Sequence, residues 1–523
     1  MWGWQSSRTV IIGIAIVVFV VCCVLPVGYL LAAPLSGTAA SYAAVWPDAR
    51  QRGLLFNTAL LGTGTAILAT AIGAPLGLAL ARMALPRSPL VRLALAAPVL
   101  LPPYVVGLSW IYLGGSRGLA ATIAGYDMFS EWTYSLPAAI LVLSLVFYPL
   151  SMLATEVAMR RVDGRLEEAA LLVAPPRRVL WGITLPLAAP SIFAAALVIF
   201  VLAVSEFGVP GLLRVRVYTT EVFTAFAARY DFTRAIVLAV PLLLLCLVVA
   251  GLAAALVGER LVVPRRTSGT RPALFDAWRQ RAATWAFVVL TAALGVPVAV
   301  LVREALGARS LTEVLAGSEA AIANSLMLAT TGATAVVGVA VWIGYARARA
   351  RRMGQIADVL FVVLFAVPST VVGVGLIGLW NRPGPLGAVY GTDVMFLLGY
   401  LARFIPVAAL ALAATTRYVP VSHEEAAAVS GAGWFRTVMR IVLPQIRLGL
   451  AAAWVVAFIL AFGELGVSVL VAPPGESTLP IRIYTIIANT PSSHVAALAL
   501  LQTVVIFTPL AVLGLGMSLR DNR

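Results

Sequence analysis

Apolar residues along this chain fall into twelve runs near 10–32, 55–81, 93–114, 136–156, 188–209, 235–257, 283–302, 325–346, 356–380, 394–416, 448–471 and 495–518. A helix rises 1.5 Å per residue, so about 20 predominantly apolar residues cross the hydrocarbon of a bilayer, and each run predicts one spanning helix. The first run is longer than the 7–15-residue apolar core of a secretory signal, although Ala32-Ala33 follow it, and it reads as an uncleaved span. The polar breaks between runs carry most of the arginines.

The pattern occurs twice. Glu167-Glu168-Ala169-Ala170 leads to Leu185-Pro186, and Glu424-Glu425-Ala426-Ala427 leads to Leu443-Pro444, with the two glutamate pairs 257 residues apart. Asn57 opens the second run and Asn324 the eighth; Pro102 and Gly107 in the third recur as Pro368 and Gly373 in the ninth. Glu206-Phe207-Gly208-Val209 ends the fifth run, and Glu464-Leu465-Gly466-Val467 lies in the eleventh. The chain therefore reads as an all-α polytopic membrane protein of about twelve transmembrane helices in two pseudo-symmetric halves. The halves are expected at 1–260 and 283–523, joined by a polar linker at 261–282 that contains Pro264-Arg265-Arg266-Thr267-Ser268-Gly269. An even number of spans per half gives both halves the same orientation, related by an axis along the membrane normal.

Composition agrees with lipid as the main solvent. Of 523 residues 61% are hydrophobic and 11% charged, with mean hydropathy +0.98, whereas soluble domains keep about a quarter of their residues charged. The formal charge of +15 comes from arginine, because the chain contains no lysine. Roughly 25 of the 37 arginines sit in one alternate set of loops and at the termini, and about 11 in the opposite set. That bias is a topology signal, so no nucleic-acid partner is expected; membrane lipid is the surface the charge addresses. It predicts that both termini and both Glu-Glu-Ala segments face the cytoplasm. Cys22, Cys23 and Cys246 all lie inside apolar runs, and His423 and His494 are isolated, His423 reading as a solvated loop residue. No metal-ligand spacing is present, so no metal site is predicted.

The repeated polar segments, 164–187 and 421–445, carry the chemistry. Glutamate favours the start of a helix, alanine propagates it, and Gly431 permits a sharp turn. Arg436 and Arg440, four residues apart, share a face of the next helical piece, and Pro444 precedes the return to the membrane. The pattern is a small helix-turn-helix on the membrane surface with charge for a partner.

Here the sequence resembles the permease subunits of binding-protein-dependent ABC importers, whose hallmark is Glu-Ala-Ala, three residues, Gly, nine residues, Ile, one residue, Leu-Pro. Glu425-Ala426-Ala427, Gly431, Ile441 and Leu443-Pro444 fit it throughout. The first copy departs from it: Ala174 stands at the glycine position, Pro175-Pro176 follow, and the step from Ala174 to Ile183 is one residue short. The resemblance implies a type I ABC importer-like fold in the bacterial cytoplasmic membrane. It also implies that each segment is a coupling helix seated in a groove of an ATPase subunit, where Glu168 and Glu425 meet basic residues. A phosphate-binding loop of the Gly-Lys-Ser/Thr kind needs a lysine, so this lysine-free chain is expected to be no enzyme and to bind no cofactor. ATP and Mg would sit on a separate ATPase, in two copies, and an extracytoplasmic binding protein would deliver the solute.

Among fused two-half permeases the resemblance is to the ferric iron type, through Glu464-Leu465-Gly466, Ala472-Pro473-Pro474-Gly475 and Thr478-Leu479-Pro480-Ile481-Arg482-Ile483-Tyr484. The first-half counterparts are Glu206-Phe207-Gly208 and Tyr218-Thr219-Thr220. Thiamine permeases share the layout and remain an alternative solute class. A secondary transporter of twelve spans is the alternative of a different kind, and the repeated segment argues against it.

Ionisable groups within spans are costly and are usually functional or cavity-facing. Glu206 and Glu464, related by the pseudo-two-fold, are expected to form a paired acidic site for a cation or for sensing the docked binding protein, or else to cap helix ends. Arg403, in the tenth run, can snorkel, pair with a carboxylate or line the pathway. Pro102 and Pro368 break equivalent spans and are expected at the central interface, since backbone groups freed by a break need protein or water beside them.

Overall fold

The computed structural model describes residues 2–33, 48–83, 88–116, 118–120, 128–257, 278–307, 314–315, 317–350 and 354–521. The described residues form helices and contain no strand. Among the described residues nine helices are long and apolar enough to cross a membrane, and three bent pairs bring the total to as many as twelve. In order, the spans are Ser7–Ala32, Ala49–Arg82, Leu90–Leu100 with Pro103–Gly114, Leu136–Arg161, Pro176–Ser205 and Phe232–Ala253 in the first half. The second half has Arg279–Ala305, Glu319–Arg349, Ile356–Phe365 with Ser369–Trp380, Val394–Thr416, Trp434–Gln445 with Arg447–Phe462, and Ser492–Val512. We number these spans 1 to 12. Residues 261–277 of the expected linker lie outside the described residues, and Arg279, expected within the linker, is already the first residue of span 7.

The repeat in sequence is a repeat in packing. Span 2 lies along spans 4 and 5, and span 8 lies along spans 10 and 11. Glycines set these approaches. A Cβ on Gly73 or Gly77 of span 2 would collide with the backbone carbonyls of Tyr148 and Met152 in span 4, and one on Gly344 of span 8 would lie 3.0 Å from Ala409 O of span 10. Apolar tails of lipid give helices no hydrophobic reason to associate, so close backbone contact through small residues supplies the attraction. Hydroxyls repeat as well: Thr58 Oγ1 accepts the N–H of Tyr218 at 2.9 Å, and Ser325 Oγ that of Leu479 at 2.6 Å. Asn57 and Asn324 lie inside spans 2 and 8 rather than opening them, and each holds a loop, Asn57 through Arg216 O at 3.2 Å and Asn324 through the Glu476 carboxylate at 2.5 Å.

The first span of each half packs on the other half. Span 1 lies against spans 8, 9 and 10, and span 7 lies against spans 2 and 3 as well as span 12 of its own half. Spans 6 and 12 also touch the broken span opposite them, span 6 on span 9 and span 12 on span 3. Spans 3 and 9, two of the three bent pairs, are thus enclosed by both halves.

Their breaks fall at the expected prolines. Span 3 turns by 88° at Leu101-Pro102 and span 9 by 95° at Ala366 to Pro368. Proline lacks an N–H and pushes the preceding residue out of the helical region, which ends the first piece and lets a new helix begin. Both prolines are buried. Span 11 carries a break that its apolar run did not show. It turns by 77° at Ile446, just past Leu443-Pro444, whereas the first-half counterpart passes from Pro176 to Ser205 in one piece through a π-turn at Leu180–Thr184. All three cysteines are buried, and His423 lies exposed on a helix instead of in a loop.

Candidate functional site

Each Glu-Glu-Ala segment folds as predicted into a short helix, a turn and a second helix. The first is Gly164–Leu171, begun by Asp163, whose side chain accepts the N–H of Arg165 at 3.1 Å. An aspartate at the helix start satisfies one of the N–H groups that have no partner in the first turn. Glu167 turns inward and is fully buried. Its Oε1 accepts from Arg82 Nη2 at 2.9 Å, Arg82 Nε at 3.2 Å and Thr184 Oγ1 at 2.8 Å. Arg82 closes span 2 and also donates to Met159 O at 2.7 Å, so one guanidinium ties the surface helix to spans 2 and 4. Glu168 and Ala169 point outward and are exposed, Ala170 is half-buried, and Leu172 and Val173 at the tip are nearly fully exposed.

The second is Val421–Val429. Glu424 is buried, and its carboxylate accepts from Arg349 Nε at 2.8 Å and from Tyr345 Oη at 2.6 Å, both near the end of span 8. Trp434 Nε1 donates to the same Tyr345 oxygen at 3.1 Å, and the fully buried Trp434 ring packs on Trp342, Tyr345 and span 1. Glu425 and Ala426 are exposed, as is Val429 at the tip, while Ala427 is buried. In both copies the first glutamate is an anchor and the second faces outward. Buried charges are stable only when paired and hydrogen-bonded, and both anchors meet that condition through an arginine.

The turns differ, and the difference explains the one-residue discrepancy between the copies. Gly431 has φ +78°, with Ala432 N–H donating to Ala427 O at 3.0 Å and Gly431 N–H to Ala428 O at 3.0 Å. This is the two-bond helix ending that uses a left-handed residue, which glycine adopts without a Cβ penalty. At the first copy Val173 and Ala174 both donate to Ala170 O, at 3.1 and 2.9 Å, and Ala174 has no positive φ. That tighter turn uses one residue fewer and accepts alanine where the pattern has glycine.

The second cluster lies where the two halves meet. Glu206 is not part of span 5, which ends at Ser205, and Glu464 lies beyond the helix of span 11, which ends at Phe462. Glu206 Oε1 accepts the N–H of Gly208 at 2.9 Å and Glu464 Oε1 that of Val467 at 3.0 Å. Both glutamates therefore cap the turns that follow, Gly208–Leu212 and Ser468–Val471. A Cβ placed on Gly208 would lie 3.5 Å from Leu465, so the two turns touch across the interface. Arg403 is buried in span 10. Its Nη1 donates to Val367 O at 2.6 Å, satisfying the carbonyl freed by the break in span 9, and its Nε lies 3.9 Å from Glu464 Oε2. Ser205 Oγ donates to Ala366 O at the same break. Pro102 packs against Gly463, 2.9 Å from where its Cβ would stand, so each break meets the end of a span from the opposite half. Arg403 thus pairs and supports backbone at once, one of the roles open to it in the sequence.

Beside this cluster three rings, Phe207, Phe223 and Tyr484, pack in tilted and edge-on pairs with centroids 4.6 to 6.4 Å apart, the last contributed by the second half. Above them opens a cavity of about 700 Å³ lined by Arg50, Arg214, Arg216, Arg229 and Glu221. Among the described residues no group of three or more His, Cys, Asp or Glu side chains is placed to hold a metal ion.

Sequence reasoning missed Arg82, Arg349, Tyr345 and Trp434. Arg82 and Arg349 counted only as topology charges, yet they are 267 residues apart at the ends of matching spans, a repeat as regular as that of the glutamates they hold.

The protein family described as binding-protein-dependent transport system inner membrane component matches twice, at residues 73–260 and 336–518. The chain is similar to the Fe(3+)-transport system permease protein FbpB 2 of Haemophilus influenzae, 25% identical over 443 residues covering 83% of this chain and 84% of that protein. It is 23% identical to the ferric transport system permease protein FbpB of Actinobacillus pleuropneumoniae over 438 residues, 78% of this chain and 63% of the relative. A shorter stretch of 159 residues, 29% of this chain and 69% of the relative, is 32% identical to the molybdenum transport system permease protein ModB of Escherichia coli. With two matches spanning most of its length, each enclosing one anchored surface helix, this chain belongs to the binding-protein-dependent transport system inner membrane components, as a fused two-half permease.

Proposed function

We propose that this protein is the transmembrane permease of an ATP-driven importer that moves ferric iron from an extracytoplasmic binding protein across the inner membrane. The observation that carries the transport reading is the pair of surface helices. Each is fastened to its half by a buried glutamate–arginine pair and presents Glu168-Ala169 or Glu425-Ala426 outward. A helix held rigidly by its inner face and polar on its outer face transmits force to whatever grips it. The gripping partner is an ATPase subunit in two copies, one per helix, which binds ATP and Mg, since a lysine-free chain has no phosphate-binding loop of its own. The sequence halves 1–260 and 283–523 each supply one such contact, and the arginine bias supports a cytoplasmic position for both contacts and both termini.

ATP binding draws the two ATPase subunits together, the surface helices follow, and the breaks at Pro102 and Pro368 are the places where the spans yield. The mechanism is a population shift between two packed arrangements, with ATP and the loaded binding protein favouring the outward-facing one. Glu206, Glu464 and Arg403 stand between the halves on the path the solute takes. Iron is favoured over thiamine because relatives that match along most of this chain are named ferric permeases.

The test is uptake of radiolabelled Fe³⁺ and, in parallel, thiamine by cells with and without this chain, its ATPase and binding protein being present in both. Iron uptake that needs the chain and disappears in Glu168→Ala/Glu425→Ala supports both assignments. Thiamine uptake instead keeps the coupling reading and removes the iron one.

A further inference from the structure

We propose that the arginine-lined cavity above the Phe207, Phe223 and Tyr484 rings is an oxyanion site that takes the carboxylate- or phosphate-class ligand of a ferric complex. In the orientation proposed above this cavity opens at the outer mouth, because span 2 begins and span 5 ends there. Its charge is the wrong sign for a bare cation. Four arginines line it against the single carboxylate of Glu221, and that carboxylate is already held by Arg50 at 3.0 Å and Arg229 at 3.5 Å. Arg214 and Arg216, both exposed, line the same space and make no ion pair with Glu221.

The backbone gives an independent reason to look at Arg214. The short helix Gly208–Leu212 ends with Val215 N–H donating to Pro210 O and Arg214 N–H to Gly211 O, the same two-bond ending seen at Gly431. Here the left-handed position, φ +58°, is occupied by arginine instead of glycine. A non-glycine residue in that conformation is strained, and strain held at a cavity wall points to a side chain kept for its function. The guanidinium lies over the Tyr134 ring, 5.1 Å from its centroid, which positions the head group without neutralising it. Guanidinium groups present planar, paired donors that match carboxylate and phosphate oxygens.

The Phe207, Phe223 and Tyr484 rings line this basic chamber, and Phe207 is the chain neighbour of Glu206 in the acidic cluster. A ferric complex would meet the arginines of the chamber through its anion. The choice of a ferric complex rests on the iron reading; the oxyanion site does not.

Radiolabelled citrate is the probe, measured by equilibrium dialysis against the full permease–ATPase complex in lipid nanodiscs, without binding protein. Saturable binding that weakens with added salt is expected. Arg214→Gln with Arg216→Gln should lower the affinity about ten-fold or more, and Arg214→Lys with Arg216→Lys should retain part of it. Glu221→Gln sets the sign: it releases Arg50 and Arg229 and must tighten citrate binding, whereas a cation site would lose by it. Absence of saturable citrate binding, or weaker binding in Glu221→Gln, overturns the proposal. Loss of binding-protein docking in the double glutamine variant, with no citrate bound by wild type, overturns it in favour of an acidic docking partner. Citrate binding in a protein that carries no iron in cells sinks the iron reading and leaves the oxyanion site standing.

Discussion

Two adjacent glutamates in the first surface helix have opposite surroundings, and their alanine variants must therefore fail in different ways. Glu167→Ala deletes the acceptor of Arg82 Nη2, Arg82 Nε and Thr184 Oγ1, three contacts between 2.8 and 3.2 Å, and leaves a guanidinium buried with only Met159 O. Removing one partner of a buried ion pair costs about 3–5 kcal/mol. At about 1.4 kcal/mol per factor of ten, the local opening of helix Gly164–Leu171 should rise on the order of 100- to 3,000-fold. Amide hydrogen exchange at Glu168 to Leu171 in the purified complex reads that change directly. Glu168→Ala alters an exposed side chain, for which about 0.5 kcal/mol is the upper expectation. Its exchange should match wild type while ATPase recruitment falls. Arg82→Met combined with Glu167→Leu should regain most of the lost protection, because apolar replacement of a buried pair is close to neutral. Protection that survives in Glu167→Ala, or collapses as far in Glu168→Ala, would refute the anchoring argument.

The remaining predictions concern the turns and the interface. Gly431→Ala places a Cβ at φ +78° and should destabilise the second surface helix by about 1–2 kcal/mol, whereas Ala174→Gly relieves nothing; exchange at both turns shows the contrast. Arg403→Met strips the Val367 carbonyl of its donor and Glu464 of its counter-charge, so thermal unfolding in nanodiscs should show a loss of about 3–5 kcal/mol and uptake should stop. An unchanged melting profile would remove Arg403 from the support of the broken span. Arg214→Gly should raise stability by about 1 kcal/mol through relief of its left-handed backbone while weakening citrate binding, and a variant that is no more stable would show that the backbone there is not strained.

Much of this fold was legible because its solvent is lipid. Twelve apolar runs, one arginine-rich set of alternate loops and a proline pair at matching offsets sufficed for the spans, their repeat and two of the three breaks. The third break, at Ile446, was hidden because Leu443-Pro444 and Leu185-Pro186 look alike while only one of them bends the chain. Hydropathy also ran past the ends of the helices, which put Glu206 and Glu464 inside spans when they cap the turns beyond them. The Glu-Glu pairs were legible as a motif, but which member turns inward depends on the arginine that waits at the end of another span. That is tertiary information carried by Arg82 and Arg349, each more than 70 residues upstream of its partner. The basic outer cavity was hidden for a similar reason: its arginines come from the start of span 2 and from the segment between spans 5 and 6, and were few enough to count as background.

Span 1 lies on the half to which it does not belong, and span 7 joins that other half to span 12 of its own. The unit that sequence repeats is therefore not the unit that can tilt as one piece. When the halves rock, span 1 is held by spans 8 to 10, and span 7 is held by spans 2 and 3 on one side and span 12 on the other. Pulling the halves apart would strip one helix from each, so the exchange works as a clasp: it permits rotation about the interface and resists separation. A version of this protein cut into two chains between spans 6 and 7 would still be held together by that clasp, and its pieces would assemble by trading helices rather than by pressing two finished surfaces together.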